Sequence, residues 1–288
     1  MLNIGIVGAE NSHTAAIAKV LNVEKRVRGV RVTHVWGETK AFAEKAAAAG
    51  EIPNIVKQPE DLIGQVDAAA VDHRHGKFHL PAAAPLLEAK LPLFIDKPFC
   101  YRKAEGAKFL ARAKKLKVPV CSFSTLPKQA SYKAFAKKMR QLGEIQTLVA
   151  TGSCDIKSKW GGVFFYGIHQ VDMVLRLLGY DIAHVQVAKG KGQNHSAHIS
   201  YNNGTQATMN LVGGASAPFH LTAIGEQGRI DEPMVSDASS YLTGIRDFCK
   251  MFRTGVTDET DETMLGPVAV LEGLEKSIGR KGPVKISI

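Results

Sequence analysis

The sequence predicts an α/β protein in two parts, a doubly wound parallel sheet over residues 1–122 and an α+β domain with a mostly antiparallel sheet over 123–288. Three observations predict it. Short apolar runs alternate with helical patterns in the first part, strand-like runs follow one another directly in the second, and a glycine turn in "GIVGAENSHT" (5–14) joins the first strand to the first helix. The turn begins as a Rossmann-type dinucleotide turn does, with Gly8, and then departs from the pattern at Glu10 and His13. The 288 residues, 45% of them hydrophobic, are enough for two ordinary cores.

In the first part "LNIGIV" (2–7), "VRVTHV" (30–35), "VDAAAV" (66–71), "LPLFID" (91–96) and "VPVCS" (118–122) read as strands, being short, partly β-branched and followed by turn or polar residues. "AFAEKAAAAG" (41–50) is rich in helix formers, with Gly50 expected as its C-terminal cap. "FHLPAAAPLLEAK" (78–90) is helical in composition despite two prolines, and "RKAEGAKFLARAKKLK" (102–117) repeats its apolar residues at helical spacing. After residue 123 the strand candidates are "QTLVATGSC" (146–154), "AHVQVAK" (183–189), "HSAHISY" (195–201), "TQATMNLV" (205–212) and "FHLTAIG" (219–225), with a hairpin turn at "NNG" (202–204). Helical patterns occupy "GIHQVDMVLRLLG" (167–179), "SYLTGIRDFCKMF" (240–252) and "PVAVLEGLEKSIG" (267–279). Few helices are left to cover the second sheet, and an uncovered apolar face is costly in water, so pairing of sheets in a homodimer or homotetramer is expected.

The net charge of +10 favours an anionic partner such as a dinucleotide or an acidic sugar. The lysines sit mostly on helix faces, without aromatic interleaving or a nucleic-acid motif, so no nucleic acid is expected. Cys100, Cys121, Cys154 and Cys249 are widely separated and form neither a C-x-x-C pair nor a disulfide framework. With no membrane-length apolar run and no secretory leader pattern in "MLNIGIVG", the expected location is the cytoplasm, away from membranes.

A dinucleotide turn reads G-x-G-x-x-G. Gly8 takes the first glycine place, Glu10 and His13 take the second and third, and Ala9, Asn11 and Ser12 lie between them as further cofactor contacts. Ser12, Thr14 and the helix N-terminus can donate to phosphate. At the acidic place after the second strand stands Trp36, with Glu38 as a displaced ribose acceptor and Lys40 as a partner for a 2′-phosphate, leaving NAD and NADP both open.

Three segments, in order, carry a family resemblance. "LLEAKLPLFIDKPFC" (86–100), preceded by His79, resembles the "LEAGKHVLCEKP" stretch of the Gfo/Idh/MocA oxidoreductases. "GGVFFYGIHQVDMVLRLLG" (161–179) resembles that family's "GGGxxxDxGxHxxDxxxxLxG", and "PVAVLEGLEKSIGRKGPVKI" (267–286) resembles its closing segment. The resemblance implies a Rossmann domain holding NAD or NADP, a second domain contacting substrate, and a sugar, polyol or related hydroxylated small molecule as that substrate. It also implies that Lys97 and His169 share the substrate proton, while hydride passes to nicotinamide. Asp172, three residues beyond His169, is placed to fix the imidazole tautomer. The family aspartate four residues before the histidine is replaced by Phe165, and Tyr166 beside it is the further candidate for proton work.

"VDHRHGKFH" (71–79) follows a strand at the ligand edge, where the resemblance puts the cofactor and substrate loop. Asp72, His73 and His75 are therefore assigned to cofactor contact, and no metal is assigned, although alternating histidines also suit a divalent ion. The function read from the sequence is an NAD(P)-dependent oxidoreductase. The alternatives are a catalytically silent nucleotide- or sugar-binding homologue, and a lyase, epimerase or hydrolase using bound cofactor or a metal.

Overall fold

Leu2–Val7 forms β1, whose last four residues are wholly enclosed, as a strand covered on both faces requires. The computed structural model describes residues 1–280 and 282–288. After β1 come α1 (Ser12–Ala18), continued by one wider turn at Lys19–Val23, β2 (Val30–Trp36), α2 (Lys40–Gly50) and β3 (Asn54–Ile55). β4 (Ala68–Val71), α3 (His79–Glu88), β5 (Leu93–Ile95), α4 (Lys103–Leu116) and β6 (Val120–Cys121) complete the series. All neighbouring strands pair in parallel in the order β3-β2-β1-β4-β5-β6, the doubly wound arrangement expected from the alternation. The three alanines and Val71 of β4 are fully buried, and their small side chains let helices approach the sheet closely.

Gly50 has a different role from the one expected. It is the last residue of α2, and Glu51 takes the left-handed conformation at φ 50°. A Cβ on Gly50 would lie 2.3 Å from Ala18 Cβ, so the glycine is required for the close crossing of α1 and α2.

The second unit contains α5 (Ala130–Met139), β7 (Ile145–Ser153), α6 (Val163–Leu178), β8 (Ile182–Lys189), β9 (His195–Tyr201), β10 (Gln206–Val212), β11 (His220–Gly225) and β12 (Gly228–Pro233). α7 (Leu242–Thr254) follows, then α8 (Asp261–Ile278) and β13 (Val284–Lys285). The strand order is β12-β11-β7-β10-β9-β8-β13, with β7 and β10 parallel and every other pairing antiparallel. The Asn202-Asn203-Gly204 turn closes the β9–β10 hairpin, with Gly204 at φ +91°. Leu148, Ala150, Ala207, Met209, Leu221 and Ala223 form the buried side of this sheet. The opposite side carries Thr147, Thr151, Ser196, His198, Thr208, Asn210 and Thr222, all partly or fully exposed. Val149, Val212 and Ile224 stand among them, so the open side is mixed, polar residues interspersed with partly exposed apolar ones.

The expected boundary places everything after residue 122 in one domain, but the chain returns. The first unit comprises Met1–Phe123 and Tyr241–Asp261, and the second comprises Ser124–Ser240 and Glu262–Ile288. Helix α7 carries Leu242, Ile245, Phe248, Cys249 and Phe252 at helical spacing, and these join the core of the parallel sheet. Phe248 stacks on Phe94 at 4.7 Å between ring centroids. A doubly wound sheet needs helices on both faces, and α7 supplies cover from a distant part of the sequence. No helix among the described residues is long and apolar enough to cross a membrane.

Candidate functional site

The C-terminal ends of β1, β2, β4 and β5 converge on one polar cluster in the first unit. Gly8 sits at φ +107°, and a Cβ there would lie 2.7 Å from the Asp72 carbonyl carbon and the His73 nitrogen, so position 8 accepts only glycine. The backbone N–H groups of Ala9 and Glu10 both donate to Glu38 Oε2, each at 2.9 Å. Glu38 Oε1 is buried without a hydrogen-bond partner among the described residues. Trp36, at the acidic place of the pattern, donates through its indole N–H to the Lys57 carbonyl and lies 5.6 Å from the His73 ring. Lys40 is 87% exposed and pairs with Glu44 at the next turn of α2.

Asn11 caps α1, accepting from the His13 N–H, while its Nδ2 donates to Asp72 Oδ1 at 2.8 Å and Asp96 Oδ2 at 3.1 Å. His13 Nδ1 lies 3.0 Å from Asp96 Oδ2 and 3.9 Å from Asp72 Oδ1. Its ring meets Tyr241 edge-on at 5.1 Å. Ser12 is exposed at the first helical position. Thr14, expected to face phosphate, instead turns its hydroxyl to the Gly8 carbonyl and Asp72, because the buried carboxyl lies beneath the turn.

Asp72 and Asp96 share this pocket in unequal states. Burial, and then the charge of Asp96, push the Asp72 carboxyl well above the usual range. Burial also works to raise Asp96, but His13 and Lys97 beside it outweigh burial and hold that carboxyl far below the usual range. Lys97 is 9% exposed and joins Pro98 through a cis peptide. His79 is fully enclosed and bridges the two loops, its Nδ1 lying 2.8 Å from the Pro98 carbonyl oxygen and its Nε2 2.8 Å from that of His73. Burial lowers its pKa, opposed by Asp96 and by both carbonyls.

The histidines of "VDHRHGKFH" do not gather as a ligand set. His73 is lowered to about 4 by burial and then by His79, and its Nδ1 is buried without a partner among the described residues. His75 is also lowered to about 4, by burial and then Lys77; it accepts the Lys77 N–H and packs edge-on against Tyr101. The trio whose ligand atoms come within 4.8 Å of one another is His13, Asp72 and Asp96, held together by hydrogen bonds. Asp96, next to Lys97 in the sequence, is the member that sequence reasoning left out of the site.

In the second unit α6 carries the other candidates. His169 is half-buried, with Nδ1 2.8 Å from the Ser124 hydroxyl and Phe219 packed edge-on at 5.6 Å. Asp172, expected to fix the imidazole, directs Oδ1 to Arg176 Nε at 2.8 Å and accepts the Ser124 N–H on Oδ2 at 3.3 Å. A residue three positions on projects at an angle along the helix, so Ser124 stands as the intermediary. Nothing in the local sequence marks Ser124, which becomes a neighbour of His169 only through folding. Tyr166 is 42% exposed, with its ring 5.7 Å from that of His169, and Phe165 packs edge-on to Tyr166.

Residues 2–123 match the oxidoreductase family with an NAD-binding Rossmann fold, Gfo/Idh/MocA. No curated protein matches the chain in sequence. Among solved structures it is similar to myo-inositol dehydrogenase from Lactobacillus casei in complex with NAD(H) and myo-inositol, at 15% identity and TM-score 0.84 over 100% of this chain and 97% of that one. It is similar to myo-inositol 2-dehydrogenase from Lactobacillus plantarum at 15% identity and TM-score 0.86, covering 99% of each chain. GenD2 from gentamicin A biosynthesis, in complex with NAD, aligns at 14% identity and TM-score 0.87 over 100% and 97%. At such identities the structures speak for the fold. The family pattern is thus matched by the first unit over 2–123, and along its whole length the chain shares the fold of these dehydrogenases.

Proposed function

We propose that this chain is an NAD-dependent dehydrogenase that oxidises a secondary hydroxyl of a polyol or sugar. The observation that carries the cofactor choice is Glu38. Its Oε2 is tied to the glycine turn while its buried Oε1 lacks a partner, which suits a ribose hydroxyl donating to it. The same carboxylate repels a 2′-phosphate, and Lys40, the residue that would attract one, is turned to Glu44. NAD, when bound, accepts the hydride. Lys97 and His169 are assigned the departing proton, as the family resemblance implies; Ser124 orients the imidazole, and Tyr166 stands beside it. The polyol or sugar class rests on the inositol dehydrogenases among the similar folds.

Assembly as a homodimer or homotetramer through the open side of the second sheet, where Val149, Val212 and Ile224 are partly exposed, is part of the proposal. So is a cytoplasmic location, which suits four buried free thiols. Calorimetry with NAD and NADP tests the cofactor reading. The expected result is NAD binding at least about tenfold tighter, a difference of about 1.4 kcal/mol, and Glu38→Ser bringing the two affinities together. Tighter binding of NADP by the unaltered protein would overturn it.

A second reading, a silent nucleotide-binding homologue, is favoured by one feature. Phe165 puts a phenyl ring, which can neither accept a proton nor orient an imidazole, where the family has a carboxylate. NADH formation on a panel of polyols and sugars separates the two.

A further inference from the structure

The Thr14 hydroxyl has one proton and two close oxygen neighbours. Its Oγ1 lies 2.5 Å from the Gly8 carbonyl oxygen and 2.6 Å from Asp72 Oδ2. A carbonyl oxygen only accepts, and so does an ionised carboxylate. With Asp72 ionised, one of these contacts has no proton and sets two oxygens against each other in a dry site, which is costly. A proton on Asp72 Oδ2 removes the conflict: Oδ2–H donates to Thr14 Oγ1, and the Thr14 proton goes to the Gly8 carbonyl. The other carboxyl oxygen, Oδ1, accepts from Asn11 Nδ2 at 2.8 Å.

On balance the surroundings favour that state: burial, the charge of Asp96 and a side-chain hydrogen bond with Asp96 favour the acid, and outweigh Lys97 and the Thr14 hydroxyl, which favour the anion. Asp72 is fully enclosed, and the charged and titratable groups facing it are Asp96, His13 and Lys97. His13 lies nearer to Asp96 than to Asp72, at 3.0 against 3.9 Å, so Asp96 is the better partnered of the two carboxyls. Two carboxyls in one pocket settle into one acid and one anion when only one of them is well paired.

We infer that Asp72 is held as the neutral acid at neutral pH and acts as a positioning residue, fixing the Gly8 carbonyl through Thr14 and the first turn of α1 through Asn11. This strut orders a turn that lacks glycine at positions 10 and 13, and its link to cofactor binding rests on the dinucleotide reading above.

The test uses the full chain and its Asp72→Asn variant, which keeps an acceptor for Asn11 and a donor for Thr14 but cannot ionise. Infrared spectra without nucleotide are expected to show a protonated-carboxyl band at pH 7 that is missing from Asp72→Asn; no such band overturns the inference. Melting, also without nucleotide, follows the sign of the linkage. The native state retains a proton that the unfolded chain releases above about pH 4, so stability falls as pH rises from there toward the native pKa of Asp72. Asp72→Asn is therefore expected to gain on the unaltered protein between pH 5 and pH 8 (about the working range of such melts). A loss at pH 8 would show that the charged form is needed and would overturn the proposal. NAD affinity is expected to weaken about tenfold in Thr14→Val, which removes the hydroxyl that links the strut to the Gly8 carbonyl. Because spectra and melts are taken without nucleotide, they decide the protonation whether or not the dinucleotide reading holds.

Discussion

The two units treat ionisable groups in opposite ways. In the first, Asp72, Asp96 and Lys97 at the ends of β4 and β5, and His79 at the start of α3, are each 9% exposed or less. In the second, polarity is spread over one side of a sheet as hydroxyls and amides, and the buried carboxylate Asp172 has Arg176 one turn along its own helix. The difference follows from how each sheet is covered. A parallel sheet clothed by helices on both faces has no room for polar side chains along its strands, so they collect at the carboxyl ends. A mixed sheet with one open side distributes them in contact with water. Single substitutions should therefore act strongly at the strand ends of the first unit and weakly on the open side of the second.

The largest expected effect is at Lys97. Lys97→Ala should lower turnover by about 10²–10⁴-fold, the range for loss of a proton-transfer group, with little change in the affinity for NAD. NADH formation and calorimetry on the same preparations read the two quantities, and unchanged turnover would remove Lys97 from the reaction.

Next comes Asp96. Asp96→Asn removes the carboxylate that His13 and Asn11 bond and should cost about 1–3 kcal/mol in urea unfolding at pH 7, as loss of a buried charged hydrogen-bond partner does. The native pKa of Asp96 is depressed, so its contribution is complete above the unfolded value of about 3.9 and is lost as pH falls below it. The gap between variant and parent should accordingly narrow under acid. A gap that persisted under acid would assign the cost to packing and not to charge.

The smallest effect belongs to the open side of the second sheet. Sedimentation equilibrium should give twice or four times the chain mass at micromolar protein, and Thr208→Arg should weaken the assembly while leaving the melting of the fold within about 0.5 kcal/mol of the parent, as for a surface change. A monomer at that concentration would sink the assembly proposal.

Much of this was readable from local pattern. The alternation of β-branched runs with helical stretches foretold the parallel sheet, and period-two patterning with "NNG" foretold the β9–β10 hairpin. β12, "GRIDEP", was not readable, because an edge strand exposed to water carries charge in place of an apolar alternation. Helix α5 buries only Tyr132, Phe135 and Met139 of its ten residues, a stripe too thin to mark it in the sequence. The apolar stripe of α7 was visible, but a stripe says only that a helix buries one face. Whether that face meets Phe94 in the first unit or a partner in the second is decided by which core remains uncovered.

The same division runs through the site. Sequence alone determined the family segments, the Lys97-Pro98 step after a strand, and Gly8 at a turn, because each depends on neighbours within a few residues. Tertiary structure decided that Glu38 and not Trp36 holds the glycine turn, that Ser124 stands between Asp172 and His169, and that Thr14 turns inward. It also brought Asp72 and Asp96, 24 positions apart in the numbering, into one buried pocket. Protonation there follows from distance and burial, and both are set by the packing of β4 and β5 side by side, which no local run of residues encodes.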